Sequence, residues 1–315
     1  MATVAVTGGT GFIGGRIIDR LLSQGMQVRA LTRRVTPQPD NPALRWIPGH
    51  LEDEASLRTL LDGADALVHC AGLVKARSRA EFFAANAEAV RRLVRIAAEA
   101  APRIHFLHMS SLAAREPGLS DYAASKAAGE DVLRDSGEKL SWTILRPPAV
   151  YGPGDMEILK LFKSLRLGLA FVPAGGPRHA SVIHVDDLSA AVVTIVTSGK
   201  DGPLLRQAFE IDDGRPGGYE LAEIYGLAAE LLHRRVRMLA VPPQVLTFAA
   251  RANRAIARLR GRAPMVTPGK IAELLHPDWV ARSPRLAETG LWRPAIGFRD
   301  GLAATLQWYR AEGYL

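Results

Sequence analysis

The feature that most constrains the fold is a glycine-rich turn between a short apolar segment and a helical pattern near the N-terminus. Residues 7–14 read Thr-Gly-Gly-Thr-Gly-Phe-Ile-Gly. Glycine permits a tight turn and lets a phosphate approach the backbone, and the following helix offers free N–H groups to that phosphate. The order strand, turn, helix predicts a dinucleotide-binding βαβ unit rather than a purely structural turn. The predicted phosphate-binding residues are Gly8, Thr10, Gly11, Phe12, Ile13 and Gly14.

Strand and helix patterns alternate through the first half of the chain. The predicted strands are 3–7, 27–31, 43–47, 66–70, 104–110 and 142–145, and the predicted helices are 12–23, 81–100 and 121–135. This order implies parallel strands joined by right-handed helical crossovers. We therefore predict an α/β fold with a Rossmann-like doubly wound parallel sheet. Its dinucleotide-binding domain covers residues 1–150, and its sheet and helices recur to about residue 210.

The pattern loosens beyond residue 150. Glycine, proline and other turn residues interrupt 151–177, and short strands are predicted at 182–185 and 209–211. Helical periodicity returns at 245–259, 268–275 and 302–309. We predict a smaller mixed lobe over 151–315 that binds substrate and is interleaved with the first domain.

Composition excludes several other classes of protein. With 48% apolar and 23% charged residues in 315, the chain is neither disordered nor fibrous. The single cysteine, Cys70, excludes an intramolecular disulfide framework. The N-terminus lacks a basic leader, and no uncharged apolar run reaches about 18 residues, so we expect a cytoplasmic protein. The net charge of +8 comes without a zinc-finger or RNA-recognition signature, so no nucleic-acid partner is expected.

The end of the second predicted strand bears on the choice of cofactor. An acidic residue there would accept a hydrogen bond from the adenosine ribose of NAD, but the chain reads Leu31-Thr32-Arg33-Arg34. Guanidinium groups suit a 2′-phosphate because they present a planar fork of donors. We therefore predict NADP, held by Arg33 and Arg34. NAD is the alternative if these arginines are only solvated.

Polar side chains at the fifth strand and the helix after it indicate redox chemistry. Tyr122 and Lys126 share one helix face at positions i and i+4, and Ser110 and Ser111 end the strand. A nearby ammonium and a nicotinium charge would lower the pKa of the phenol. Tyr122 could then exchange a proton with a substrate oxygen that Ser111 also contacts. The alternative is a tyrosine packed in the core beside a solvated lysine.

Further segments carry a resemblance to a known family. They read His69-Cys70-Ala71-Gly72, Arg146-Pro147-Pro148-Ala149-Val150-Tyr151-Gly152-Pro153-Gly154, Ile183-His184-Val185-Asp186-Asp187 and Gly290-Leu291-Trp292-Arg293-Pro294. With the glycine turn, the serine pair and the tyrosine–lysine pair, they resemble the extended short-chain dehydrogenase/reductases of the NAD-dependent epimerase/dehydratase superfamily. The resemblance is strong through about residue 190 and weaker beyond it.

The resemblance implies roles for individual residues. Ser111, Tyr122 and Lys126 match the catalytic triad, with Ser111 chosen over Ser110 by its place in the family motif. Asn86 matches an asparagine on the helix behind the site. The remaining implied cofactor contacts are Ala71 and Gly72 at the adenosine, Pro147 and Val150 at the nicotinamide, and His50 and Leu51 where the family usually has an acid beside adenine.

Departures from the family pattern narrow the reaction. Leu112-Ala113 follows Ser111, where family dehydratases carry an Asp–Glu pair. Ala180 replaces an arginine that grips the diphosphate in family epimerases, and Arg178 lies two residues away on the same strand face. The connection from Ser111 to Tyr122 is also short. The resemblance is thus nearer to 3β-hydroxysteroid dehydrogenases and dihydroflavonol reductases, which implies a carbonyl reductase or alcohol dehydrogenase for a bulky apolar substrate. A nucleotide-sugar epimerase with retained NAD and a non-catalytic nucleotide-binding scaffold are the alternatives.

A basic segment over residues 231–272 holds nine Lys or Arg and no acid. Arg251, Arg254 and Arg258 fall on one helical face within it. Such a face is explained by solvation, by peripheral contact with an anionic membrane, or by an anionic group on the substrate. The sequence leaves these three open.

The sequence also yields expectations for Lys75, for the segment 184–187 and for the oligomeric state. Lys75 follows the fourth strand, at an edge where substrates pass. His184 and Asp186 do not suggest a metal site, and Asp187 is expected to cap the following helix. The family resemblance implies a homodimer formed by helices 81–100 and 121–135.

Overall fold

A computed structural model describes residues 2–34, 41–198, 202–259 and 267–315. Residues 260–266 of the basic segment lie outside the described residues, as does the side chain of Arg258. The strands are β1 (Thr3–Thr7), β2 (Gln27–Thr32), β3 (Leu44–Pro48), β4 (Ala66–His69), β5 (His105–Met109), β6 (Ser141–Arg146), β7 (Ala149–Tyr151), β8 (Leu169–Pro173), β9 (His179–Ala180), β10 (Val182–His184), β11 (Gln207–Glu210), β12 (Tyr219–Glu220), β13 (Arg237–Val241) and β14 (Asp278–Trp279). The helices are α1 (Phe12–Ser23), α2 (Glu54–Leu61), α3 (Arg79–Phe83), α4 (Ala89–Ala100), α5 (Asp121–Asp135), α6 (Met156–Leu165), α7 (Val185–Thr197), α8 (Leu221–Leu231), α9 (Pro243–Leu259), α10 (Pro268–Leu275) and α11 (Phe298–Ala311).

Seven parallel strands form the central sheet in the order β11-β6-β5-β4-β1-β2-β3. The order reverses beside β1, since β2 lies on one side of it and β4 on the other. In an open α/β sheet, ligands bind at such a reversal, at the carboxyl ends of the strands. The predicted Rossmann-like doubly wound sheet is confirmed.

Side chains alternate between two hydrophobic cores, one on each face of the sheet. On β1, Val4 and Val6 join the core under α1 and α7, whereas Ala5 joins the core under α2, α4 and α5. On β5, Leu107 joins the core under α1 and α7, and Phe106 joins the core under α2, α4 and α5. This period of two is what burial on both faces requires.

A third core holds the smaller lobe together. Tyr309 of α11 packs edge-on against Phe162 of α6, with ring centroids 6.0 Å apart. Ala228 of α8 joins the same cluster. Two parallel pairs, β10-β7 and β13-β8, and a small sheet, β12-β9-β14, lie outside the central sheet. The lobe is threaded through the first domain, because α7 packs on α1 and β11 completes the central sheet.

Several helices were missed or misplaced by the sequence patterns. The stretch 151–177 was predicted to be irregular but contains α6, whose N-cap Asp155 accepts hydrogen bonds from the N–H groups of Glu157 and Ile158. The flanking glycines and proline masked that short amphipathic run. The helices α2 and α8 were also not predicted. The predicted 81–100 helix is interrupted by a turn of π-helix at Ala84–Glu88.

The predicted cap of α7 was wrong. The N-cap is His184, three residues earlier than predicted, and its Nδ1 atom accepts a hydrogen bond from the N–H of Asp186. The carboxylate of Asp187 instead accepts hydrogen bonds from the N–H groups of Ala295 and Ile296. Asp187 therefore ties the C-terminal segment to α7.

Within the described ranges no helix has both the length and the apolar character needed to cross a bilayer.

Candidate active site

The glycine turn forms a cradle whose walls are backbone atoms. Gly8 has a φ of +76°, and a Cβ there would lie 2.7 Å from the amide nitrogen of Ala71. A Cβ on Gly14 would lie 2.2 Å from the carbonyl oxygen of Gly8. No described side chain caps the N-terminus of α1, and its first turn holds no acid. The cradle and the uncapped helix end thus fit a pyrophosphate group.

The other predicted cofactor residues lie along the same edge of the sheet. Ala71 and Gly72 follow β4, Pro147 follows β6, and Val150 belongs to β7. A Cβ on Gly72 would lie 2.8 Å from the amide oxygen of Asn86, so this loop lies directly on the π-helical turn. The carboxyl edge therefore brings the predicted dinucleotide ligands of β1, β4 and β6 together.

The predicted adenosine residues follow β2 and β3. Arg33 and Arg34 are exposed at the end of β2. His50 is exposed, and its Nδ1 atom accepts a hydrogen bond from the N–H of Glu52. Leu51 packs against the core, and its carbonyl accepts a hydrogen bond from Arg92. The two exposed arginines thus lie at the edge of the sheet where an adenosine ribose would lie.

The structure also brings the predicted catalytic side chains together. The ammonium of Lys126 is buried and donates a hydrogen bond of 2.6 Å to the carbonyl of Met109, the last residue of β5. The hydroxyl of Ser111 hydrogen-bonds the phenol of Tyr122. Ser110, in contrast, donates to the buried carboxylate of Glu130 at 2.5 Å. Of the two serines, only Ser111 is placed to reach a substrate held at Tyr122.

Burial dominates the acid–base properties of this cluster. Desolvation raises the pKa of Tyr122, the Ser111 hydrogen bond opposes that rise, and the charge of Glu273 adds to it. The neighbouring ammonium was expected to lower the pKa of the phenol. The groups of the chain raise this pKa instead. Desolvation also lowers the pKa of Lys126 to about 8, although Glu130 opposes it. Tyr122 is therefore a protonated phenol at neutral pH.

A cleft of about 240 Å³ opens above Tyr122. One wall is the loop after β4, with Val74, Lys75 and Ala76, and Phe82 of α3 continues it. The opposite wall comes from the C-terminal lobe and includes Arg254 of α9 together with Gly269, Lys270 and Glu273 of α10. The lining of the cleft thus mixes apolar side chains such as Val74 and Phe82 with charged ones such as Arg254 and Glu273.

Glu273 is a site residue that the sequence patterns did not single out. Its carboxylate accepts a hydrogen bond from the hydroxyl of Ser120, the N-cap of α5, two residues before Tyr122. Burial raises the pKa of Glu273, and the Ser120 hydrogen bond and Lys270 oppose the rise. The predicted helix 268–275 was correct, but no local signal shows that it reaches across 150 residues to the tyrosine.

Lys75 and Arg178 were predicted to contact the substrate, but both side chains bond to other groups of the protein. The Nζ of Lys75 pairs with the Oε1 of Glu157 at 2.6 Å, on the wall of the cleft. Lys160 and Lys75 together lower the pKa of Glu157 to about 2. The guanidinium of Arg178 donates hydrogen bonds to four carbonyls, those of Pro173, Ala174, Gly176 and Leu275. Arg178 therefore clamps loops of the lobe and does not replace the diphosphate-gripping arginine.

Among residues 2–34, 41–198, 202–259 and 267–315, no cluster of His, Cys, Asp or Glu side chains could hold a metal ion. Asp186 is instead paired with Arg16 of α1, whose Nη2 lies 2.5 Å from its Oδ1.

Comparison with known proteins places these features in context. The profile described as the NAD dependent epimerase/dehydratase family matches residues 4–207. A protein of Caulobacter vibrioides named ceramide reductase is 38% identical over 99% of this chain and 96% of its own length. A Stigmatella aurantiaca protein named as a farnesyl-dihydroquinoline-oxide ketoreductase is 28% identical over 82% of this chain and 83% of its own. The solved structure of MoeE5 with UDP-glucuronic acid and NAD has a TM-score of 0.74 at 25% identity, covering 99% of this chain and 100% of that one.

Proposed function

Since this chain belongs to the NAD-dependent epimerase/dehydratase family and is an oxidoreductase, we propose that it reduces a ketone on a bulky, largely apolar lipid, with NADPH as the preferred reductant. The observation that carries the proposal is the meeting of Ser111, Tyr122 and Lys126 at the end of β5, where Tyr122 lines a cleft that also contains the apolar side chains Val74 and Phe82. The buried Leu112 and Ala113 that follow Ser111 supply no carboxyl group for eliminating water.

Each residue of the triad has a separate task in this reaction. The Ser111 hydroxyl donates a hydrogen bond to the substrate carbonyl oxygen and polarises it. The Tyr122 phenol transfers its proton to that oxygen as the ketone becomes an alcohol. The Lys126 ammonium stabilises the negative charge left on the phenol. The nicotinamide, when bound, supplies the hydride to the carbonyl carbon.

The raised pKa of Tyr122 suits reduction, because a proton donor must be protonated when the substrate arrives. The half-buried carboxyl of Glu273, one of whose oxygens accepts a hydrogen bond from Ser120, offers its other oxygen to a substrate hydroxyl or amide N–H near the ketone. The Caulobacter relative named ceramide reductase supports a long-chain amide of this kind. We therefore propose a ceramide-type ketone as the substrate.

The proposal is tested by following NADPH oxidation by the purified chain with a 3-oxo ceramide, a keto-steroid and a nucleotide sugar. We expect turnover of the 3-oxo ceramide and formation of its alcohol. Stoichiometric NAD released on denaturation, together with epimerisation of the nucleotide sugar, would overturn the proposal in favour of an epimerase. Bound nucleotide without turnover of any carbonyl compound would favour the non-catalytic scaffold.

The pH dependence of reduction should report Lys126. Because the ammonium has a pKa of about 8, it is charged below that pH and neutral above it. We expect kcat/KM for the ketone to be level near neutrality and to fall tenfold per pH unit well above about pH 8. Initial rates at saturating NADPH measure this, and a level profile through about pH 10 would contradict the role of the ammonium.

The cofactor preference should depend on Arg33 and Arg34. Hydrogen bonds to a charged phosphate contribute about 1.5–3 kcal/mol, so the double variant Arg33→Ala/Arg34→Ala should raise the KM for NADPH by about 10- to 100-fold. The KM for NADH should be unchanged. Arg20→Ala removes an equally exposed arginine from α1 and serves as the matched control. Equal KM values for the two cofactors in the unsubstituted protein would show that the arginines do not select NADP.

A further inference from the structure

Helix α9 carries a second apolar face that the protein leaves uncovered. Val245, Phe248 and Ile256 recur at helical spacing along one stripe, and their side chains are 55%, 75% and 48% exposed. The buried contacts of the helix lie on a different face, where Ala250 is fully buried and α9 packs on α10. The packing of α9 on α10 therefore leaves the stripe of Val245, Phe248 and Ile256 uncovered by the described residues.

The surroundings of this stripe are basic. Arg251 lies one helical turn beyond Phe248 and is exposed beside it. The segment before α9 adds three exposed arginines, Arg234 and Arg235 ahead of β13 and Arg237 at its first position. Between Glu230 and Glu273 the sequence contains no acid to offset this charge. Basic residues beside an exposed apolar stripe are the features of a helix that lies in the interface of an anionic bilayer.

We propose that the chain docks on an anionic phospholipid bilayer through α9, with Val245, Phe248 and Ile256 at the boundary of the acyl chains. This inference extends the proposed function, because the bilayer would also be the source of a lipid ketone. Arg254 of the same helix lines the cleft above Tyr122. Arg254 lies on the face of α9 opposite the stripe, so docking places the helix that borders the cleft, rather than the opening of the cleft, against the bilayer.

The charge of the surface favours a bilayer over a second copy of the chain. A symmetric dimer brings the same patch of both copies together. Contact through the Phe248 stripe would then place Arg251 of one copy near Arg251 of the other, with no acid on the segment to separate them. Anionic headgroups neutralise those arginines instead, at a contribution of about 1 kcal/mol for each one near the surface.

Vesicle flotation with the full-length chain tests the proposal directly. The probes are vesicles of phosphatidylcholine alone and of phosphatidylcholine mixed with phosphatidylglycerol. We expect binding to the mixed vesicles that weakens at high salt. Arg251→Gln should lower the partition coefficient about fivefold, and Phe248→Ser should lower it by at least as much. Failure of the unsubstituted chain to bind mixed vesicles would overturn the proposal.

Matched controls separate docking from folding and from catalysis. Arg20→Gln and Leu291→Ser remove an exposed arginine and an exposed leucine from other elements, and both should bind vesicles like the unsubstituted chain. All variants should keep the melting temperature and the turnover of a ketone dispersed in detergent. Turnover without vesicle binding would refute docking and leave the proposed function standing. Vesicle binding without turnover of the ketone would support docking and overturn the proposed function. Sedimentation showing a dimer that the Phe248→Ser substitution dissociates would assign the stripe to a second copy.

Discussion

Replacing Tyr122 with phenylalanine should lower kcat for ketone reduction by about 10²- to 10⁴-fold, the range observed when a general acid is removed. The phenol is the protonated group that shares a hydrogen bond with Ser111 beneath the cleft, and phenylalanine keeps its ring while removing the transferable proton. The ring stays in contact with Phe82, whose centroid lies 6.1 Å away, so the fold and the cofactor affinity should be retained. Single-turnover reduction and NADPH titration measure the two quantities separately.

Tyr314→Phe is the matched control for this change. Its ring is stacked on Trp308 and is 40% exposed, far along the chain from the triad. We expect unchanged kcat and unchanged cofactor affinity for Tyr314→Phe. If Tyr122→Phe kept more than about a tenth of the activity, the proton would come from another donor, and the proposed mechanism would be wrong.

Exchanging two adjacent glycines of α1 for alanine should have opposite outcomes. The Cβ of Gly14→Ala would lie 2.2 Å from the carbonyl oxygen of Gly8, a backbone atom that moves only if the phosphate cradle moves. The Cβ of Gly15→Ala would lie 3.6 Å from its nearest neighbour, the carbonyl oxygen of Gly9, which is ordinary contact. We expect Gly14→Ala to cost about 1–3 kcal/mol of stability and to weaken NADPH binding by more than about tenfold.

Gly15→Ala should instead preserve NADPH binding and raise stability by about 0.5–1 kcal/mol, because alanine is the better helix former. Thermal unfolding and calorimetric titration of both variants provide the comparison. Equal NADPH affinity in Gly14→Ala and the unsubstituted chain would show that the turn does not hold the pyrophosphate.

The parts of the fold that the sequence predicted are those with a local signal. The glycine turn and α1 follow from the spacing of three glycines before an amphipathic run, and α5 was predicted at its observed bounds, Asp121–Asp135. The side chain of Ser120 caps α5 by accepting a hydrogen bond from the N–H of Ala123, a pattern confined to four residues. Such contacts can be inferred without knowledge of the tertiary structure.

The properties of the candidate site that could not be predicted depend on contacts between distant segments. Glu273 reaches Ser120 across 153 residues, and neither segment carries a sign of the other. The pKa of Tyr122 depends on how deeply the phenol is desolvated, which the helical spacing of Tyr122 and Lys126 does not reveal. The interruption of the 81–100 helix at Asn86 could not be predicted either. The side-chain amide of Asn86 accepts a hydrogen bond from the N–H of Leu73 and donates one to the Ser125 hydroxyl, and both partners lie outside the helix.

The return of the chain at β11 has a consequence for biosynthesis. Strand β6 ends at Arg146, and its outer neighbour begins only at Gln207. While the ribosome makes the intervening residues, β6 presents an open row of N–H and C=O groups, which is a template for pairing with another nascent chain. Strand β6 therefore remains the open edge of the sheet until residue 210 has left the exit tunnel. A fragment ending near residue 150 should aggregate rather than fold, although it contains the whole glycine turn and the triad.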